Sequence, residues 1–248
     1  MRADQLLVER GLASSRSQAQ RLIASGVRWR GGGGWKAVAK NGDELPLEAE
    51  IDLLDLAEAR YVSRGGLKLE GALKASGMDA AGKVCLDVGQ STGGFTDCLL
   101  QLGAARVVGV DVGQGQLHDK LRNDARVVAI EKLNARELSA EQVGEDFDLV
   151  TGDLSFISST LVLPALVPVL KPGGDLLMLV KPQFELQPGQ VGKRGIVTDA
   201  TLYAVVEQRL RECCASLGLQ VRGWYDSPVA GGDGNREFFV YAIRTEAP

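Results

Sequence analysis

The feature that most limits how this chain can fold is the stretch 84–102. There a short apolar run ending at Asp87-Val88-Gly89 leads into a glycine-rich turn, followed by Phe95, Cys98, Leu99 and Leu102 at helical spacing. The run reads as a buried parallel strand and the spacing as a helix with one apolar face. Gly89, Gly93 and Gly94 permit positive φ and let a ligand come close to the backbone, while the first N–H groups of the helix point into that space. In an open α/β sheet such a turn lies at the carboxyl end of a strand, where nucleotide-like ligands bind.

A dinucleotide turn needs a second glycine where this chain has Ser91, which argues against a pyrophosphate. Asp87 would repel a phosphate but suits an ammonium group. Asp111, at the end of the next expected strand (106–111), can accept two ribose hydroxyls. A ligand that is a cationic amino acid at one end and a nucleoside at the other is S-adenosylmethionine. A glycine turn after a strand can also be a plain tight turn. Two carboxylates at successive strand ends favour the cofactor.

The chain has 248 residues, 45% hydrophobic and 24% charged, enough for one good core plus an appendage. The longest apolar stretch, 161–170, contains Pro164 and Pro168 and is far shorter than the ~20 residues needed to cross a bilayer. No charged-then-apolar leader follows Met1, so a cytoplasmic protein with no membrane partner is expected. Cys85, Cys98, Cys213 and Cys214 sit in apolar-periodic segments and read as reduced, buried thiols. With His118 the single histidine, no metal-ligand spacing can be built.

Charge is unevenly spread. Residues 1–40 carry a net +6 and residues 41–60 a net −6, the pattern of a small unit with a basic face. Residues 3–26 read as two short helices, the first capped by Asp4 and ending at Gly11. The second carries a Ser15/Gln18 capping box and ends at Gly26. Arg16, Gln20 and Arg21 fall on its outer side, and Arg28 follows in an alternating strand. A merely solvated face accounts for them equally well. The pattern Asp-x-x-Leu-Val-x-x-Gly-Leu-x-x-Ser-Arg-x-x-Ala-x-x-x-Ile-x-x-Gly, however, resembles the S4 domain, a small α+β RNA-binding module. The resemblance implies RNA contacts from Arg2, Arg16, Gln20, Arg21 and Arg28. Where S4 domains hold a short valine-asparagine-glycine hairpin, this chain has four glycines (31–34) and Trp35, expected to form a flexible, aromatic-tipped loop. Residues 45–56 read as the closing strands, giving an expected domain 1–58, a linker 59–62 and a second domain 63–248.

In that second domain a helix carries Leu69, Ala72 and Leu73 on one side, with Lys68 at its beginning, an unfavourable place for a cation beside a helix N-terminus. Strands are expected at 126–130, 147–153 and 175–180, with a helix near 115–123 between strand 106–111 and the first of them. A leucine- and valine-rich helix ends at Leu170, residues 171–174 turn, and Asp199 caps a long helix that Gly218 ends. The chain closes with a hairpin of strands 219–226 and 237–243. The loop 134–136 would border the adenine. Strands alternating with helices before a final antiparallel pair predict a Rossmann-like class I methyltransferase fold, α/β with a seven-stranded mixed sheet.

Lys68, Asp153, Lys181 and Glu237 fall at element ends that such a sheet brings to one rim, and their charges sum to zero, so the group can be partly desolvated. Singly, each reads as half of a surface ion pair. Jointly they match the Lys-Asp-Lys-Glu tetrad of FtsJ-like 2′-O-ribose methyltransferases. With Tyr-Val-Ser-Arg-Gly-x-x-Lys-Leu, Asp-Val-Gly-x-Ser-Thr-Gly-Gly-Phe-Thr, Asp-Val-Gly-x-Gly-Gln-Leu, Asp-Leu-Ser-Phe-Ile-Ser and Val-Lys-Pro-Gln-Phe-Glu, nearly the whole chain resembles the TlyA (haemolysin A) family of ribosomal RNA methyltransferases.

That resemblance implies S-adenosylmethionine-dependent 2′-O-methylation of ribosomal RNA at a cytidine, with the large subunit favoured because the chain stops soon after its last strand. It implies catalytic roles for the four rim residues and cofactor contacts from Ser63, Asp87, Gly89, Ser91, Gly93, Gly94, Phe95, Asp111, Val112, Asn134 and Asp153. Arg64, Lys193 and Arg194 would add RNA contacts. Lys181 is assigned to deprotonate or orient the ribose hydroxyl. A lysine ordinarily titrates near 10.4, so it is a base only where burial and a second cation, here Lys68, lower that value. An RNA-binding assembly factor with a vestigial cofactor site and a pore-forming haemolysin are the alternatives.

Overall fold

The structure, a computed structural model, describes residues 1–54 and 60–245, which fall into two units, Met1–Leu67 and Lys68–Pro248.

In the first unit helices α1 (Ala3–Glu9) and α2 (Arg16–Gly26) pack on an antiparallel sheet of β1 (Val27–Gly31), β2 (Gly34–Ala37) and β3 (Glu50–Leu53), in the order β2-β1-β3. Leu6, Leu7, Leu22, Ile23 and Val27 form the core, with Trp29, Ile51 and Leu53 against it. Asp4 does not cap α1. Arg2 holds the N-cap position, and Asp4 lies one residue inside the helix with no accessible surface. Two cations and the favourable end of the helix dipole make that burial tolerable. The expected capping box is half formed. Ser15 Oγ accepts from the Gln18 N–H at 3.2 Å, but Gln18 Oε1 accepts instead from the Ser14 N–H at 2.6 Å.

Nor do residues 31–35 form a loose loop. Gly31 pairs with Gly34 across a two-residue turn, and Trp35 stands inside β2 opposite Arg30. Gly34 takes φ +111°, a conformation open mainly to glycine. Of the expected closing strands, residues 55 and 56 lie outside the described residues, as do residue 58 of the expected domain end and residue 59 of the expected linker. Tyr61 and Val62, also assigned to that linker, are bound into the first unit instead. Gln18 Nε2 donates to the Tyr61 carbonyl at 3.1 Å and Ser14 Oγ to that of Val62 at 3.4 Å. The Tyr61 ring is 2% exposed and lies so close to Gly66 that a Cβ there would meet it at 2.3 Å.

The division between units falls within α3 (Gly65–Ser76). The second unit continues with β4 (Val84–Val88), α4 (Gly94–Gln101), β5 (Arg106–Asp111), β6 (Val127–Glu131), β7 (Phe147–Asp153), β8 (Leu170–Val180), β9 (Leu219–Asp226) and β10 (Phe238–Arg244). The seven strands lie in the order β6-β5-β4-β7-β8-β10-β9, with β10 antiparallel to both its neighbours. The central strands are near-continuous apolar runs because helices cover both faces of a parallel sheet. The strand order reverses between β4 and β7, and that crevice is where such sheets bind ligands.

Three expected elements change. The leucine- and valine-rich helix is broken into turns, Ser159–Leu161, Leu163–Leu166 and Val167–Val169, because Pro164 and Pro168 remove donors from any continuous helix. Residues 171–174, expected as a turn before a strand, are an irregularity inside β8, where the register jumps from Phe147↔Leu170 to Leu149↔Asp175. The helix expected near 115–123 is only Asp119–Arg122, capped by His118. Asp199 stands one residue before Ala200, the N-cap of the long helix Thr201–Ser216, and accepts from the Thr201 N–H and hydroxyl at 2.9 and 2.6 Å.

Candidate active site

The turn after β4 is shaped by close approach. Gly89 has φ +83°, and a Cβ there would come within 2.5 Å of the Asp153 carbonyl oxygen at the end of β7. Gly93, at φ +94°, faces Leu121, which a Cβ would meet at 2.3 Å. Above this turn and the carboxyl ends of β5 and β7 lies a cavity of about 490 Å³. It is lined by Gly89, Ser91, Asp111, Val112, Gln116, Leu133, Asn134, Asp153 and the segment 154–157, and its volume is in the range of small-ligand sites. Asp111 is held rigidly, its two oxygens accepting from the Ser91 and Gly113 N–H groups at 2.7 and 2.6 Å. A carboxylate has about four acceptor positions, so two remain for ligand hydroxyls.

Asp87 does not line this cavity. It is 1% exposed, and its Oδ2 accepts from the Thr96 N–H at 3.0 Å and hydroxyl at 2.6 Å, which fastens the turn to α4. Its Oδ1 is buried without a hydrogen bond. Burial pushes this carboxyl up to about 7, against the downward pull of Thr96. Gly93, Gly94 and Phe95 are also absent from the cavity wall; Phe95 is 3% exposed and stacks on Phe239 with ring centroids 6.1 Å apart. The glycines are expected at the cofactor as part of the turn and Phe95 as the residue after it, but Gly93 packs against Leu121 and the helix turns Phe95 toward the core. Ser63 belongs to the first unit, where its carbonyl accepts from the Gly66 N–H.

Beside the cavity the second unit brings the four rim residues together as two ion pairs. Lys68 Nζ lies 2.5 Å from Glu237 Oε2, with side chains 9% and 3% exposed. Lys181 Nζ lies 2.5 Å from Asp153 Oδ1, with 11% and 25% exposed, and donates to Ser155 Oγ at 2.9 Å. Burial pushes the Glu237 carboxyl above the usual range while Lys68 and then Lys181 pull it down, so one carboxylate feels both lysines.

Ser155 and Glu185 were not singled out as site residues, although both lie in motifs quoted above. Glu185, 3% exposed, accepts from the Ser158 hydroxyl at 2.5 Å and the Ser159 N–H at 2.7 Å. It sits in the short helix Pro182–Glu185 directly after Lys181. One segment therefore carries a rim lysine and holds the loop that forms the cavity wall. Gln90 was also missed; its amide fills the space above Gly109, where a Cβ would meet it at 2.0 Å. A glycine in the middle of a strand such as β5 is the signal for such an approach.

The expected RNA contacts divide. Arg2 and Arg16 converge on Asp4, at 3.0 Å each, with side chains 43% and 56% exposed, and Gln20 also bonds to it. These partners hold the Asp4 carboxyl well below the usual range. Arg21 donates to the Ser17 carbonyl, and Arg28 pairs with Asp52 at 2.6 Å. The Arg64 carbonyl accepts from the Leu67 N–H in the turn entering α3. Lys193 and Arg194 are exposed in a turn that Asn235 fastens through the Gly195 carbonyl and the Val197 N–H.

Residues 61–244 match the family model of the FtsJ-like methyltransferases, and residues 1–26 that of the S4 domain. The chain belongs to the FtsJ-like methyltransferase family. It is 47% identical over 246 residues, 99% of its length and 90% of the relative's, to a Mycobacterium tuberculosis protein named 16S/23S rRNA (cytidine-2′-O)-methyltransferase TlyA. It is 36% identical to Hemolysin A of Brachyspira hyodysenteriae, over 98% of this chain and all of that one. A solved Streptococcus thermophilus structure described as a hemolysin superposes with a TM-score of 0.76 at 39% identity, covering 100% of this chain and 90% of that one. An FtsJ-like enzyme uses S-adenosylmethionine, and the residues fit it: a glycine turn against the strand ends, a fixed carboxylate at β5 and an apolar wall at Leu133. Among the described residues no helix is long and apolar enough to cross a membrane.

Proposed function

We propose that this protein methylates the ribose 2′-oxygen of a cytidine in ribosomal RNA in the cytoplasm, with the first unit, an S4-like module, holding the RNA and the second performing the transfer. The observation that carries this reading is the neutral quartet of Lys68, Glu237, Lys181 and Asp153, desolvated beside a nucleoside-sized cavity. The names of the relatives support the substrate.

When bound, S-adenosylmethionine supplies a sulfonium methyl group that needs little activation. What the residues must do is align a weakly nucleophilic hydroxyl and receive its proton. Ser155 takes one of the three donors of the Lys181 ammonium group and Asp153 lies beside it as the counter-charge, so the group keeps donor capacity to aim at the 2′-oxygen. The methyl–sulfur bond breaks as the C–O bond forms, and the proton released from the hydroxyl goes to the Asp153 carboxylate, the acceptor of the pair, while the Lys181 ammonium group orients the oxygen. Lys68, locked to Glu237, keeps a second positive charge on the rim without leaving a net charge to solvate. Asp111 takes the ribose hydroxyls of the cofactor, and Asn134 borders its adenine.

Lys181→Ala is the test. Methyl transfer from labelled cofactor to ribosomal RNA should fall about 10²–10⁴-fold, with cofactor affinity by calorimetry within a few-fold of the wild type. Retained transfer overturns the assignment. Mass spectrometry of ribosomal RNA from cells lacking the protein identifies the subunit and the nucleotide; a full complement of ribose methyl groups there would leave an assembly factor as the better reading.

A further inference from the structure

Trp35 has no part in the chemistry above, and it is the place where this chain departs from the S4 pattern. It lies on β2, an edge strand whose four residues are all exposed, and it is itself 41% exposed. The register settles its face, because directly opposed residues of antiparallel strands share one. Trp35 opposes Arg30, which opposes Glu50; one step along, Ala37 opposes Arg28, which opposes Asp52. The other face carries Val27, Trp29, Ile51 and Leu53, which pack into the core. Trp35 therefore stands on the solvent face, with the Arg28 guanidinium 4.9 Å from its ring centroid.

That face is graded in charge. Carboxylates occupy the β3 edge, guanidinium groups the middle strand and the indole the β2 edge, which bears no acid. An anion approaching from the β2 edge meets the ring and the arginines before either carboxylate. The turn beside the ring is bare: a Cβ at Gly32, Gly33 or Gly34 would meet nothing within 4 Å. A flat aromatic, backed by a guanidinium on an unobstructed hairpin tip, is the chemistry that stacks a nucleobase. Bases within a duplex already have both faces covered, so an unpaired base is the fitting partner.

We propose that the β1–β2 hairpin is a stacking platform for one unpaired base of the RNA, with Trp35 as its surface. This rests on the RNA-binding reading of the first unit. The test is binding of the full chain to deproteinised ribosomal RNA over a range of salt concentrations. Trp35→Ala should weaken binding about fivefold to a hundredfold while leaving the slope of log K against log salt unchanged, since no cation is lost. Trp35→Phe should restore most of the affinity but lose most of the quenching of indole fluorescence that RNA causes in the wild type. Wild-type affinity in Trp35→Ala, with Arg16→Ala weakened, overturns the stacking platform alone. If Arg16→Ala is also unchanged, the RNA-binding reading itself fails. Loss in Trp35→Ala confined to intact ribosomal subunits would assign the hairpin to a ribosomal protein and overturn the proposal.

Discussion

Each unit of the molecule holds a group of two cations and two anions joined as two ion pairs. On the rim, Lys68–Glu237 has side chains 9% and 3% exposed and Lys181–Asp153 has 11% and 25%. On the small sheet, Arg28–Asp52 has 41% and 38% and Arg30–Glu50 has 63% and 59%. The charge tally is the same, but the solvation is opposite. Water screens the sheet pairs and leaves their arginines free to meet an external anion. The rim charges have surrendered most of their water and can act on a guest that enters beside them. Counting charges along the chain therefore says little about what a cluster does; burial decides it.

The widest separation between the two groups should appear in stability. Glu237→Ala leaves Lys68 buried and uncompensated, which costs about 3–5 kcal/mol. Glu237→Gln should cost less, because an amide oxygen can still accept from the ammonium group. Urea unfolding of the two variants checks this, and equal, small losses would mean that the rim is as wet as the sheet.

Asp87 sharpens the comparison from the other side, as a carboxylate buried like Glu237 but given a threonine instead of a lysine. Its titration is raised from 3.8 to about 7. Between those values the folded protein keeps a proton that the unfolded chain has released, so this group's contribution is full below pH 3.8 and is lost as pH rises through 7. Asp87→Asn removes that loss while its amide oxygen can still accept from Thr96. The melting temperature of the variant minus that of the wild type should therefore climb from pH 4 to pH 8, at about 2–4 °C for each kcal/mol. A flat difference would mean that Asp87 is ionised throughout.

These contrasts also mark what could be read from residue order. The β4 turn and the strand ends at Asp111 and Asp153 were legible because a strand end fixes where a side chain lies along the sheet; the rim quartet, whose Lys68 lies in α3, was legible only as a joint match to a family pattern. Which way the side chain then turns was not. Asp87 and Phe95 follow the same motif as Gly89 and Ser91, yet they face α4 and Phe239 while the other two line the cavity. Asp4 looked like a helix cap because its type suits one; only the fold brings Arg2 and Arg16 onto it. Pro164 and Pro168 were visible, but the apolar spacing around them outweighed the donors they remove. Glu185 gave no local cue, since its partners Ser158 and Ser159 lie more than 25 residues away in the chain.

The smallest effect belongs to Arg30. Its guanidinium lies 3.3 Å from Glu50 with both side chains more than half exposed, so the attraction is weakened by water and offset by the freedom lost in holding two long side chains still. Arg30→Ala should shift stability by no more than about 0.5 kcal/mol at low salt. At 1 M salt the screening length is about 3 Å, comparable to the pair's own separation, and the shift should vanish. Thermal melts at the two salt concentrations measure it. A loss above about 1 kcal/mol that survives high salt would show that this pair, like Lys68 and Glu237, has given up its water, and the solvation contrast between the two groups would fail at its most exposed member.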